Sequence, residues 1–113
     1  MVRSRSQMET AEVRMEGAAG VTKRVPVRAG DGWDGWAMRV FELAPGGYTP
    51  RHSHDWLHVN LVLDGRGTLL LDGTEHELSV GDSAVVPSGR EHQFRAGNAG
   101  FTFVCIVPEE GQG

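Results

Sequence analysis

The sequence predicts an all-β protein, an antiparallel jelly roll or barrel. Short runs alternate apolar and polar residues, no apolar stripe recurs at helical spacing over several turns, and many of the 16 glycines among 113 residues stand at the boundaries between runs. Alternation is the pattern of a half-buried strand, and glycine-rich punctuation joins such strands by tight turns. A chain of this length supplies one hydrophobic core and has no room for a second domain.

Taken in order, residues 1–20 are polar and end in GAAG, which predicts a loosely held N-terminal arm, either disordered alone or ordered against a partner subunit. Strands follow at VTKRVPV (21–27), WAMRVFELA (36–44), LHVNLVL (57–63), GTLLL (67–71), HELSV (76–80), DSAVV (82–86), HQFRA (92–96) and FTFVCIV (101–107). PGG at 45–47, then DGRG, DGT, VGD, PSG and AGNAG, separate them. Each supplies a glycine for positive φ or a proline for a fixed one. Asp72-Gly73 is a hairpin signal. The domain is expected to span residues 21–109, with 110–113 as a short flexible tail.

Composition excludes several functions. The net charge is −4 and the basic residues are scattered, whereas nucleic-acid binding needs a concentrated basic face. The longest apolar runs fall far below the roughly 20 residues of a membrane-spanning helix. The first ten residues, MVRSRSQMET, lack the apolar middle of a secretory signal, and Cys105 has no partner for a disulfide. The expectation is a cytoplasmic protein whose partner is a small molecule.

The chemistry concentrates in RHSHDWLH, residues 51–58. Residues two apart on a strand face one side, so His52 and His54 present both imidazoles to one interior. His58 opens the next strand, and His92 opens a later one that an antiparallel neighbour can bring alongside. Any one imidazole is more often a surface or hydrogen-bonded core residue. His76, between Glu75 and Glu77, fits that description. A cluster on one buried face is costly unless it binds something, and neutral imidazole is the commonest metal ligand.

GGYTPRHSHDWLHVNLVLDG (46–65) resembles the first motif of the cupin superfamily, G(X)5HXH(X)3E(X)6G, through Gly46, His52, His54 and Gly65, with His58 in the glutamate position. GDSAVVPSGREHQFRA, from Gly81, resembles the second, G(X)5PXG(X)2H(X)3N, through Gly81, Pro87, Gly89 and His92, with Ala96 in the asparagine position. The chain is most similar to small single-domain bacterial cupins with four histidines, of the manganese type. The resemblance implies the double-stranded β-helix fold, metal ligands His52, His54, His58 and His92, a six-coordinate ion with two open positions, and a homodimer with exchanged arms or strands. It implies Mn(II), with Fe(II), Ni(II), Zn(II) and Cu(II) as alternatives. Val59 and Asn60 depart from the usual residues after His58, which predicts a more polar pocket.

Four neutral imidazoles would leave a divalent ion its full charge, so the site favours anionic or enolisable oxygen ligands. Tetrahedral zinc would be closed by four histidines, whereas an octahedral ion keeps positions for substrate. Strand parity extends the pocket. Phe103, Cys105 and Val107 share one face, Arg39 and Phe41 another, Asn60 lies on the His58 face, and Phe94 lies on that of His92. Arg39 either holds a substrate acid or pairs with Glu42 or Glu75, and Trp56 is a candidate lid. The sequence therefore points first to a dioxygenase-type oxidoreductase acting on a small enolic, phenolic or alkene substrate. A metal-dependent isomerase or polyketide-cyclase-like enzyme is the second reading, and a non-catalytic binding protein the third.

Overall fold

Seven strands, β1 (Glu9–Glu12), β2 (Ala19–Val27), β3 (Trp36–Tyr48), β4 (His58–Leu71), β5 (Thr74–Ser79), β6 (Ser83–Val86) and β7 (His92–Pro108), build the protein in a computed structural model that describes residues 1–111. All pairings are antiparallel, in the lateral order β1-β2-β3-β7-β4-β5, with β6 also on β4. Alternation works as the sequence predicts. On β4, His58, Asn60 and Val62 are buried, while Val59 and Leu61 between them and Leu63 after them are exposed.

The long strands fold back over the core. Phe94 and Phe103 both lie on β7, and nine residues of straight strand would separate them by roughly 30 Å. Their rings instead stack with centroids 4.3 Å apart. Val62 and Leu69, from the two halves of β4, meet in the same cluster with Val21, Leu43, Val86 and Phe101. Each half of a bent strand thus supplies one wall of the barrel.

The bends correct part of the strand assignment made from sequence. LHVNLVL, without Leu57, and GTLLL are one strand, β4; HQFRA and FTFVCIV are one strand, β7; and PGG lies inside β3. DGRG and AGNAG are therefore bends within strands, where the β4–β7 register shifts between Val62 and Asp64 and between Gly65 and Gly67. Such bulges turn a strand without ending it. Glycine is needed there because the backbones nearly touch: a Cβ on Gly65, at φ 74°, would lie 2.1 Å from the Gly100 carbonyl oxygen. DGT, by contrast, is the hairpin turn expected. Asp72 and Gly73 both have positive φ, and Leu71 pairs with Thr74 across it.

The polar N-terminal segment carries the first strand. β1 pairs with β2, and Arg3 donates hydrogen bonds to Asp31 and to the Pro26 carbonyl. At the other end, Glu109–Gly111 form a single 3₁₀ turn with Gly111 buried. Residues 112–113 of the expected tail lie outside the described residues.

Candidate metal centre

Backbone pairing assembles the histidines. His52 lies in the connection between β3 and β4, where its N–H donates to the His92 carbonyl at 3.1 Å and its carbonyl accepts the His92 N–H at 2.9 Å. Gly89, at φ 77°, donates its N–H to the His54 carbonyl at 2.8 Å, so the PSG turn clamps the same segment. His58 begins β4 and His92 begins β7, both buried. The order imposed by β-pairing thus joins the two sequence motifs at one point.

The rings crowd together. Centroid separations are 5.1 Å for His52 and His54, 5.0 Å for His52 and His92, 4.8 Å for His54 and His92, 5.3 Å for His54 and His58, and 4.8 Å for His58 and His92. Ligand atoms of His52, His54 and His92 all lie within 4.8 Å of one another, a group able to hold a metal ion. His58 closes on them from β4.

Hydrogen bonds behind the rings fix which nitrogens face inward. His92 Nδ1 lies 2.9 Å from the Arg90 carbonyl, which only accepts, so Nδ1 carries the proton. Asn60 donates its Nδ2 to the Val104 carbonyl, leaving its Oδ1 to accept from His58 Nδ1 at 2.7 Å. Both Nε2 atoms then carry lone pairs, and they stand 3.2 Å apart. Two lone pairs at that distance repel unless a cation lies between them. Nitrogens each ~2.0–2.1 Å from one ion lie roughly 3 Å apart, so the donor set fits a bound metal.

Electrostatics agree. Burial first, and then the charges that His92 and His54 would carry, push the His52 imidazole down to about 4. Burial likewise holds His58 down at about 3, against the raising effect of its bond to Asn60. His54 and His92 are also lowered, chiefly by burial. The four rings are therefore neutral at physiological pH, the form that ligates. In protein stripped of divalent ions, the unfolded chain takes up protons near the ordinary 6.5 while His52 and His58 in the folded state do not. Stability should therefore be highest above pH ~6.5 and fall as pH drops toward the folded-state values. Denaturant midpoints measured from pH 7 to pH 4 check this, and a His58→Asn variant should show a shallower fall.

The histidines open onto a cavity of about 200 Å³. Of the residues predicted by strand parity, Arg39, Phe41, Phe94, Phe103 and Cys105 line it, and so does Trp56, whose ring stacks on His54 at 4.5 Å. Asn60 and Val107 do not. The Asn60 amide is spent behind His58, and Val107 packs with Ala37 and Cys105 in a separate small cluster. Sequence reasoning missed Lys23, Thr49, Met15 and Gly111 on the wall. Lys23 was legible: it shares a strand face with Val21 and Val25, both buried. The ion pairs considered for Arg39 are not formed, because Glu42 bonds Arg24 and Arg5 and Glu75 lies beside Arg95. Arg39 instead donates to Cys105 Sγ at 3.2 Å and to the Gly111 carbonyl at 3.3 Å.

A bent antiparallel barrel with imidazoles gathered at its cavity defines the class: a small all-β protein with a histidine site able to hold a metal. Residues 39–107 match the cupin domain family, and the chain belongs to that family. It is similar to the polyketide cyclase RemF from Streptomyces resistomycificus, at 33% identity and a TM-score of 0.87 over 96% of this chain and 80% of that one. It is 32% identical over 91 residues to the 1-methylthio-D-xylulose 5-phosphate methylsulfurylase of Rhodospirillum rubrum, covering 80% of this chain and 57% of that protein. It is 33% identical over 66 residues to the dimethylsulfoniopropionate lyase DddW of Ruegeria pomeroyi, covering 58% of this chain and 43% of that protein. The chain thus spans about half the length of these two curated relatives.

Proposed function

We propose that the chain is a metal-dependent enzyme acting on a small enolisable oxygen compound by proton transfer, as an isomerase or cyclase does. The observation that carries this reading is the make-up of the cavity wall: two cationic side chains, Arg39 and Lys23, line it beside four neutral imidazoles, and no carboxylate does among the described residues. Such a wall favours an anion, and favours the enolate over its parent carbonyl compound. His52, His54, His58 and His92 would hold the ion, taken as Mn(II). Bound there, a divalent ion supplies a Lewis acid toward a carbonyl or enol oxygen. Phe41, Phe94 and Phe103 exclude water from the apolar side and suit a planar substrate. With no carboxylate on the wall, proton transfer falls to Lys23 Nζ or Cys105 Sγ. The relatives named as a cyclase and a lyase support a non-oxidative reaction.

The dioxygenase reading is second, favoured by the same aromatic wall, which fits a phenol or enediol. One experiment separates the readings. Metal-loaded protein is incubated with β-dicarbonyls, enediols and catechols in deuterated water, with and without dioxygen, and followed by NMR. Deuterium incorporation or ring closure without dioxygen is the expected result. Turnover only in air, with dioxygen consumed, would establish the dioxygenase instead, and binding without turnover would leave a binding protein.

The homodimer belongs to the same proposal. Val59, Leu61 and Leu63 of β4 and Val85 of β6 form an exposed apolar surface on the outer face of the sheet, of the kind that marks a protein contact.

A further inference from the structure

Two buried N–H groups on the cavity residues have no hydrogen-bond partner among the described residues: Arg39 Nε and Trp56 Nε1. Buried donors are nearly always satisfied, and an orphan costs about 1–3 kcal/mol. Both belong to residues lining one cavity, and both atoms are sealed from it as it stands, so a ligand meets them once the two side chains turn toward it. We propose that Arg39 and Trp56 form an acid-binding subsite of that cavity, which takes the carboxylate of a small oxo or hydroxy acid whose second oxygen faces the histidines. The inference rests on reading the cavity as a substrate site.

Charge supports it independently. A guanidinium stays protonated in proteins, so burial leaves Arg39 a permanent cation. Its partners are poor: a thiol sulfur, a long bond to the Gly111 carbonyl, and the face of Phe41 at 5.0 Å. No carboxylate lies within 4.0 Å of it among the described residues, whereas Arg3, Arg24, Arg51, Arg90 and Arg95 each have one. A partly buried cation without a counter-ion is costly, and a bound anion removes that cost.

Register supplies the geometry. Arg39, Cys105 and Asn60 stand in one row across β3, β7 and β4, and Asn60 holds His58. Adjacent strands lie ~4.8 Å apart, so the Arg39 backbone is roughly 10 Å from that of Asn60 and its side chain reaches toward the histidines. Trp56 adjoins them directly through its stack on His54. A ligand bridging the two ends is therefore small and bifunctional, consistent with the cavity of about 200 Å³.

The test uses benzoate, a planar carboxylate, and its neutral isostere benzamide, titrated into the full chain with its bound ion and followed by calorimetry. Benzoate should bind and benzamide should bind far more weakly. Arg39→Met should weaken benzoate roughly tenfold or more, Arg39→Lys should recover part of the loss, and Trp56→Phe, which removes only the N–H, should cost a few-fold. Metal content should be unchanged in all three variants, which shows an intact histidine cluster. His54→Ala should lose metal yet bind benzoate within the few-fold loss of Trp56→Phe, since it removes the ring on which Trp56 stacks but leaves Arg39 in place, so the subsite stands or falls separately from the metal reading. Equal binding of benzoate and benzamide, no benzoate binding at all, or loss of benzoate in His54→Ala but not in Arg39→Met would overturn the proposal.

Discussion

His54→Ala should abolish stoichiometric binding of a divalent ion while leaving the barrel folded. The four rings lie within 4.8–5.3 Å of one another across the measured pairs, so each contributes to one shared cluster. Removing His54 takes away one donor and the surface on which Trp56 stacks, but none of the buried apolar cluster. Losing a direct ligand should exceed the roughly 10–100-fold loss of metal affinity that outer-shell changes cause. Asn60→Ala provides that comparison, because Asn60 only orients His58 from behind. Metal-to-protein ratios by mass spectrometry, with circular dichroism as the fold control, decide the matter. Full metal content in His54→Ala would remove it from the ligand set.

Gly65→Ala should unfold the protein or lower its stability by several kcal/mol. Its φ of 74° disfavours any side chain, at about 1–2 kcal/mol. Its Cβ would also lie 2.1 Å from the Gly100 carbonyl oxygen, a backbone atom fixed by the β4–β7 pairing. Overpacking of this kind adds about 1–3 kcal/mol. Against a typical total of roughly 5–15 kcal/mol the sum is large. Gly73→Ala isolates the steric part: it sits at φ 81° with nothing within 4 Å of the added Cβ, so it should cost only the conformational term. Denaturant midpoints of the two variants should differ widely. Equal midpoints would mean that the bend at Gly65 relaxes.

Much of this was legible in the chain. Period-two alternation in HVNLVL gave the buried set His58, Asn60 and Val62, because a strand sends neighbouring side chains to opposite faces. The same parity placed Phe103 and Cys105 inward. The HXH spacing and the later PSG turn identified the histidines. What parity could not show was whether an inward residue faces the cavity or the packed interior behind it. Asn60 and Val107 are inward and yet absent from the wall. Nor does glycine by itself tell a turn from a bend: DGT reverses the chain at a hairpin, whereas DGRG lets one strand continue around a corner. Local conformation is similar in both, and only the partner strand distinguishes them.

By itself the sequence determined the residue types, the strand parity and the two histidine motifs, since these follow from near-neighbour geometry and side-chain chemistry. Tertiary structure decided which segments meet. The His52–His92 backbone pair brings together residues 40 positions apart, and the bends in β4 and β7 close the walls around them. It also decided that Arg39 faces a thiol and a carbonyl instead of a glutamate. That outcome depends on where Arg24, Arg5 and Arg95 stand to occupy the acids, a competition between distant residues that no local pattern encodes.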